Sequence, residues 1–268
     1  MRPQPGFEPS VTTLGSGARR VLALHCTMAH GGAWSGLAKH IGEAVTLVAP
    51  DMPSHGTSAD WDEVSDFSDT VYQASLGVMD AGPMDVIGHS FGAATALRIA
   101  AFNPERVRSL TVFEPVFFAA ALRRDPASLA AHAEDAKPYV AAITARDYPL
   151  AARLFNRMWS AGGPKWDDLP TRTRAAMARA IHVVPDTERF LFEDAAGLLA
   201  PGALDALEVP TLVMRGEMAH PAIVATNDGL ADLIPGAEQS VIAGAGHMAP
   251  ISHPAEVAAA LQGLLGRS

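Results

Sequence analysis

Gly88-His89-Ser90-Phe91-Gly92 sets a serine between two glycines, after the apolar run 84–88 and before the alanine-rich segment 91–102. A serine hydroxyl is a weak nucleophile until a neighbouring base takes its proton. A G-x-S-x-G turn from strand to helix presents that hydroxyl at the carboxyl end of a sheet, and its glycines leave room for the backbone around it. The helix starting beside it directs positively polarised N–H groups at an oxyanion formed there. Five residues alone recur by chance, so the strand before and the helix after carry the argument.

The base must return to Ser90 from another strand end. Gly244-Ala245-Gly246-His247-Met248 follows the strand-like segment 240–244 and its glycines permit a tight loop. His247 is therefore favoured over His253, which stands directly before Pro254. An imidazole can both take and return a proton at neutral pH. His25, His55 and His89 are expected to organise loops. In the loop His25-Cys26-Thr27-Met28, the backbone amide of Thr27 is expected to pair with that of Phe91 as the oxyanion hole, with Cys26 as donor if the turn is displaced. Cys26 as a nucleophile is the weaker reading, because a lone cysteine after an apolar strand is commonly a packed small side chain.

The elements that position these residues alternate. Strands are predicted at 11–14, 21–25, 44–50, 84–88, 107–113, 211–215 and 240–244. Helices are predicted at 34–41 with Ser35 as a cap, at 64–81 with Asp66 or Ser65 capping, at 91–102 and at 255–265. Short apolar strands separated by helices favour an α/β fold with a mostly parallel central sheet flanked by helices. A (β/α)8 barrel is the rival, but eight evenly spaced units are not evident. Residues 116–205 break the rhythm with helix-compatible composition cut by prolines. They are expected to form a helical cap inserted into a core made of 1–115 and 206–268, with Gly162-Gly163-Pro164 marking a turn within it.

The 268 residues are 49% apolar and 18% charged, enough for a buried core and against disorder. The net charge of −9, with no dense basic tract, makes nucleic acid an unexpected partner. The single Cys26 excludes an internal disulfide and a multi-cysteine metal site, and fits a reducing cytoplasm. No signal-like apolar run opens the chain, and no uncharged stretch approaches the roughly 20 residues of a membrane helix, so a cytoplasmic location without membrane partners is expected. No H-E-x-x-H or G-x-G-x-x-G pattern supports a metal or nucleotide cofactor, and none is expected. Asp51, flanked by Pro50 and Pro53, is expected to fix its turn by side-chain hydrogen bonds. A homodimer is compatible with the sequence, which identifies no surface for it.

Taken together, the chain resembles the α/β-hydrolase family, in particular small serine carboxylesterases and lactonases with a helical cap. The resemblance rests on His25 after its strand, the turn Ala49-Pro50-Asp51-Met52-Pro53-Ser54-His55-Gly56-Thr57-Ser58, the segment 88–92 and Gly246-His247. It implies the chain order nucleophile, acid, histidine, and a lid after the sixth conserved strand, matching 116–205. Two departures stand out. The family's His-Gly pair is His25-Cys26 here, and the Asp that many members carry past the penultimate strand would fall near Ala219 or His220, where there is none. Glu114 is the favoured acid: it ends the segment 107–113, precedes Pro115, and shares the sheet edge with Ser90. Some relatives resembling haloalkane dehalogenases use an acid after this earlier strand. Glu217 is the alternative, and Asp228 is expected to lie already within a helix.

The chemistry implied is acyl transfer from a small or medium carboxylic ester to water through an acyl-serine. A serine rather than an aspartate at position 90 argues against dehalogenation or epoxide opening. Met28, Trp34, Phe91, Phe117, Phe118, Phe155, Met158, Trp159 and Met248 are candidates for an apolar substrate pocket under the cap. Enol-lactone or C–C bond hydrolysis, cofactor-free perhydrolysis and a non-catalytic small-molecule receptor remain the alternatives.

Overall fold

A computed structural model of the chain describes residues 2–160 and 163–266. Its strands are β1 (Val11–Gly15), β2 (Arg19–Leu24), β3 (Val45–Pro50), β4 (Met84–His89), β5 (Val107–Phe113), β6 (Thr211–Gly216) and β7 (Glu238–Ile242). They form one seven-stranded sheet in the order β1-β3-β2-β4-β5-β6-β7. Only β1 runs antiparallel, with Val11 opposite Pro50, and the other pairs are parallel. The edges β1 and β7 do not pair, so the sheet is open and the barrel is not formed.

Parallel neighbours require crossovers, which helices supply. Helix α1 (Ser35–Ile41) joins β2 to β3, α2 (Phe67–Gly77) joins β3 to β4, and α3 (Phe91–Phe102) joins β4 to β5. Between β5 and β6 run α4 (Ala119–Arg124), α5 (Ala130–Thr144), α6 (Tyr148–Trp159), α7 (Thr171–Ala180) and α8 (Glu188–Glu193). Then α9 (Pro221–Leu233) leads to β7, and α10 (Ala249–Ser252) and α11 (Pro254–Leu265) follow it.

The central strands are largely apolar and buried because helices cover both faces of the sheet. In β2, Leu22 and Leu24 pack with Phe67, Phe91 and Leu97 on one face, whereas Val21 and Ala23 pack with Leu37, Ile41 and Leu261 on the other. Each fully buried aliphatic side chain of this kind contributes about 1.5–3 kcal/mol. The alanines of α3 let its axis approach closely: a Cβ on Gly92 would lie 2.3 Å from the carbonyl oxygen of Leu24.

Boundaries differ from the sequence reading at a few points. Ser35 begins α1 rather than capping it, because the chain enters through a 3-10 turn, Gly31–Trp34, capped by the His30 side chain accepting from Gly32 N. Asp66 caps α2 by accepting from Asp69 N, while Ser65 Oγ is engaged by Asp62. Strand β7 starts and ends two residues earlier than read, and Gly244 at φ 67° then turns the chain. The helices between β5 and β6 have a small core of their own, Ala142, Ala151, Ala152, Met177 and Ile181. Of the turn at 162–164, Gly162 lies outside the described residues, and Gly163 N donates to Ser160 O.

Candidate active site

Strands β2 and β4 are neighbours, yet β3 lies on one side of the pair and β5 on the other. The reversal opens a crevice at the carboxyl ends of β2 and β4, where open α/β sheets bind ligands. Two sequence-predicted groups arrive there. The loop after β2 brings Thr27, and β4 runs directly into Ser90, and both line one cavity of about 370 Å³.

Ser90 sits at φ 57°, ψ −118°, a conformation that L-residues rarely adopt. The turn is held on both sides: Ser90 N donates to Phe113 O at 3.0 Å, and Ser90 O accepts from Ala93 N and Ala94 N at 3.0 and 3.1 Å. Gly88 is required because a Cβ there would stand 2.5 Å from Ala93 Cα. The N–H groups of Phe91 and Thr27 donate to no protein acceptor among the described residues, which leaves both available to an oxyanion.

Glu114 repeats the same local device one strand over. It follows β5 at φ 44°, its N–H donates to Met214 O at 2.8 Å, and its carboxylate is fully buried. Oε1 accepts from Gly216 N at 2.8 Å, and Oε2 lies 2.6 Å from His247 Nδ1. A carboxylate oxygen accepts, so Nδ1 is the donor in this contact and Nε2 is the ring nitrogen left for another partner. Glu217 is placed elsewhere: its Oε2 accepts from Gly244 N at 2.8 Å and shapes the loop before His247. Asp228, in α9, pairs with Arg124. The link from Ser90 Oγ to His247 Nε2 is not closed in this structure. Catalytic hydrogen bonds are often long before substrate arrives.

The remaining histidines support the loops. His89 Nε2 donates to His247 O at 2.8 Å, tying the residue before Ser90 to the residue that carries the imidazole. His25 Nε2 accepts from Met52 N, and His55 Nε2 accepts from Met28 N. Burial lowers His25 to about 4 and His55 to about 3, and takes His89 well below its ordinary value, so all three are neutral at pH 7. Asp51 fixes its turn, with Oδ1 accepting from Gly31 N and Oδ2 from Thr57 N. His253 meets Ser252 Oγ and takes no part in the crevice. Burial pushes the Cys26 thiol up to about 12, which removes it as a thiolate.

Three of the aromatic pocket candidates, Phe118, Phe155 and Trp159, line the cavity. The other candidates lie outside its lining. Trp34 belongs to the core on the α1 and α11 face, across the sheet from the cavity. Phe117 is fully buried, with its ring 6.0 Å from Phe190, and Phe91 and Met158 likewise pack into the core on the other face, with Leu22 and Leu24. Met28 packs against the small core of the helices between β5 and β6. Met248 caps α10 through its backbone.

Sequence reasoning missed His132 and Tyr139, both on the cavity wall. Their spacing with Ala136 gives one face of α5, but nothing in the sequence says which face the crevice meets. Glu188 and Glu193 are the charged side chains of the lining, and both are exposed. Among the described residues no set of three or more His, Cys, Asp or Glu side chains is placed to hold a metal ion, and no helix is long and apolar enough to cross a membrane.

Residues 21–260 match the model of the Alpha/beta hydrolase family. Lipase LipV of Mycobacterium tuberculosis is 39% identical over 103 residues, 37% of this chain and 38% of the relative. A pimeloyl-(acyl-carrier protein) methyl ester esterase of Nitrosomonas europaea is 32% identical over 104 residues, 38% of this chain and 39% of the relative. The matches thus span less than half the length of these curated relatives. In fold, a hydrolase from Oleispira antarctica superimposes with a TM-score of 0.75 at 15% identity, covering 97% of this chain and 96% of that one. With the match running from β2 into α11 and the open, mostly parallel sheet beneath it, the chain belongs to the α/β-hydrolase family.

Proposed function

We propose that this protein is a serine hydrolase that cleaves small or medium carboxylic esters through an acyl-serine intermediate. The observation that carries the reading is the 2.6 Å contact of Glu114 Oε2 with His247 Nδ1, at the same sheet edge as the strained Ser90 turn. The carboxylate fixes the tautomer that leaves Nε2 basic, and stabilises the imidazolium that forms when Nε2 takes a proton. Ser90 Oγ then attacks the ester carbonyl as His247 Nε2 accepts its proton. The amides of Thr27 and Phe91 receive the developing oxyanion, and His247 returns the proton to the departing alcohol. Water, deprotonated by the same imidazole, releases the acid and restores Ser90.

The cavity volume is at the small end of ligand pockets, which favours a small or medium substrate. Its walls are largely apolar and its charged lining residues are both acidic, which favours an uncharged acyl group over an anionic one. The helices between β5 and β6 supply most of those walls and act as the cap in this reading. The names of the relatives, a lipase and a methyl ester esterase, agree with ester chemistry.

A fluorophosphonate probe tests the reading. Wild-type protein is expected to be labelled on Ser90 and Ser90→Ala left unlabelled. Unlabelled, folded wild type beside a labelled control hydrolase overturns it.

A further inference from the structure

Two rings approach the imidazole of His247. That of His89 has its centroid 4.9 Å away. That of Trp159, the last residue of α6, has its centroid 4.8 Å away, with the two planes 39° apart. A T-shaped contact needs planes nearly perpendicular, and rings lying side by side stand farther apart, so the indole turns a face toward the imidazole. Both side chains are buried. The indole is flanked in turn by the rings of His132, His220 and Phe155 at 5.7, 5.8 and 6.3 Å. His220 belongs to the loop after β6, where its Nδ1 accepts from Ala222 N and its Nε2 meets Asp135 of α5 at 3.2 Å. Trp159 is therefore held from α5, from α6 and from the sheet edge together.

His247 has a reason to need an aromatic face. Each time it takes a proton, first from Ser90 and then from water, its ring becomes a buried cation. Glu114 Oε2 meets that charge at Nδ1. A cation within about 6 Å of an aromatic centroid is attracted by the electron-rich face, most strongly by indole and more strongly when water is excluded. The neighbouring rings bring little opposing charge. Burial, reinforced by His247 itself, takes His89 well below its ordinary value, and burial lowers His132 to about 4, so both are neutral at pH 7. No Lys or Arg lines the cavity.

We infer that Trp159 is a positioning residue of the hydrolytic reaction, its indole face holding the His247 ring against Glu114 and stabilising the positive charge that ring carries after taking the Ser90 proton. The inference rests on the serine-hydrolase reading. It gives the helices between β5 and β6 a part in the chemistry besides walling the cavity, because α6 supplies one side of the base. The cation is absent from the ground state, so the face lowers the barrier without tightening the binding of the ester.

The test replaces Trp159 alone with mono-, di- and trifluorotryptophan, which drain the ring of electron density stepwise while nearly keeping its shape. On p-nitrophenyl hexanoate, kcat is expected to fall with each fluorine, by about three- to thirtyfold over the series, with KM and the urea midpoint nearly unchanged. Trp159→Phe, with a weaker face, is expected to keep more kcat than Trp159→Leu, which has apolar bulk and no face. A kcat indifferent to fluorination overturns the inference. So does a loss confined to KM, which would make the ring a substrate wall and nothing more. Should Trp159→Leu fail to fold, the fluorinated series decides. Fluorophosphonate labelling separates the two ideas: a labelled Ser90 with a flat series sinks the role of Trp159 alone. No labelling and no hydrolysis of any ester by wild type sinks the serine reading beneath it.

Discussion

Glu114 and His247 are 133 residues apart in the chain, yet Oε2 of one lies 2.6 Å from Nδ1 of the other. The second carboxylate oxygen is held by Gly216 N, so the side chain cannot swing away from the imidazole without losing a buried hydrogen bond. In Glu114→Gln the shape is nearly kept and the charge is lost. Ester turnover is expected to fall about 10²–10⁴-fold with a smaller change in KM. Glu217→Gln, which takes the charge from an exposed loop contact while leaving an oxygen to accept from Gly244 N, is expected to change turnover less than about threefold. Steady-state kinetics on a p-nitrophenyl ester reads both, and the reverse ranking would transfer the acid role to Glu217.

The Ser90 turn depends on an absent side chain. A Cβ at Gly92 would lie 2.3 Å from Leu24 O and 2.5 Å from His25 O, both backbone atoms that cannot step aside singly. Gly92→Ala is therefore expected to cost about 1–3 kcal/mol or more in urea unfolding. It should also depress turnover, because it pushes α3 away from the loop that carries Thr27. A variant as stable as wild type would show that the packing there is looser than drawn.

Cys26 makes an independent check on the choice of nucleophile. Burial holds the thiol at about 12, and the side chain is 4% exposed. Iodoacetamide at about pH 8 is expected to leave native protein unmodified and fully active, and to modify it once in denaturant. Rapid alkylation of native protein with loss of activity would bring the cysteine back as a candidate.

Acid sensitivity follows from histidines buried without charge. In the unfolded chain these imidazoles bind protons near 6.5, whereas in the fold His25 and His132 remain neutral down to about 4 and His55 to about 3. Between those values the unfolded state binds more protons, so stability rises with pH across the window. The contribution is complete above about pH 6.5 and is lost as the pH falls towards 3. The urea midpoint is expected to be steady above neutrality and to drop clearly by about pH 5. A midpoint unchanged from neutral to about pH 5 would show that these rings take up protons without unfolding.

What the sequence determined by itself was local. The glycines around Ser90, the apolar runs on both sides of the turn and the proline after Glu114 act over a few residues, and they placed β4, α3 and the end of β5 within a residue or two of where they lie. Strand order, and with it the meeting of Glu114 and His247, follows from which β-strands pair across the chain, and only the folded sheet fixes that. The pocket shows the limit most clearly. Trp34 and Trp159 are the same residue type in equally helix-compatible surroundings, but one is buried behind the sheet and the other stands over His247. A side chain's type sets how strongly it avoids water; the face on which it does so is decided by elements tens of residues away, and His132 entered the cavity wall by that route alone.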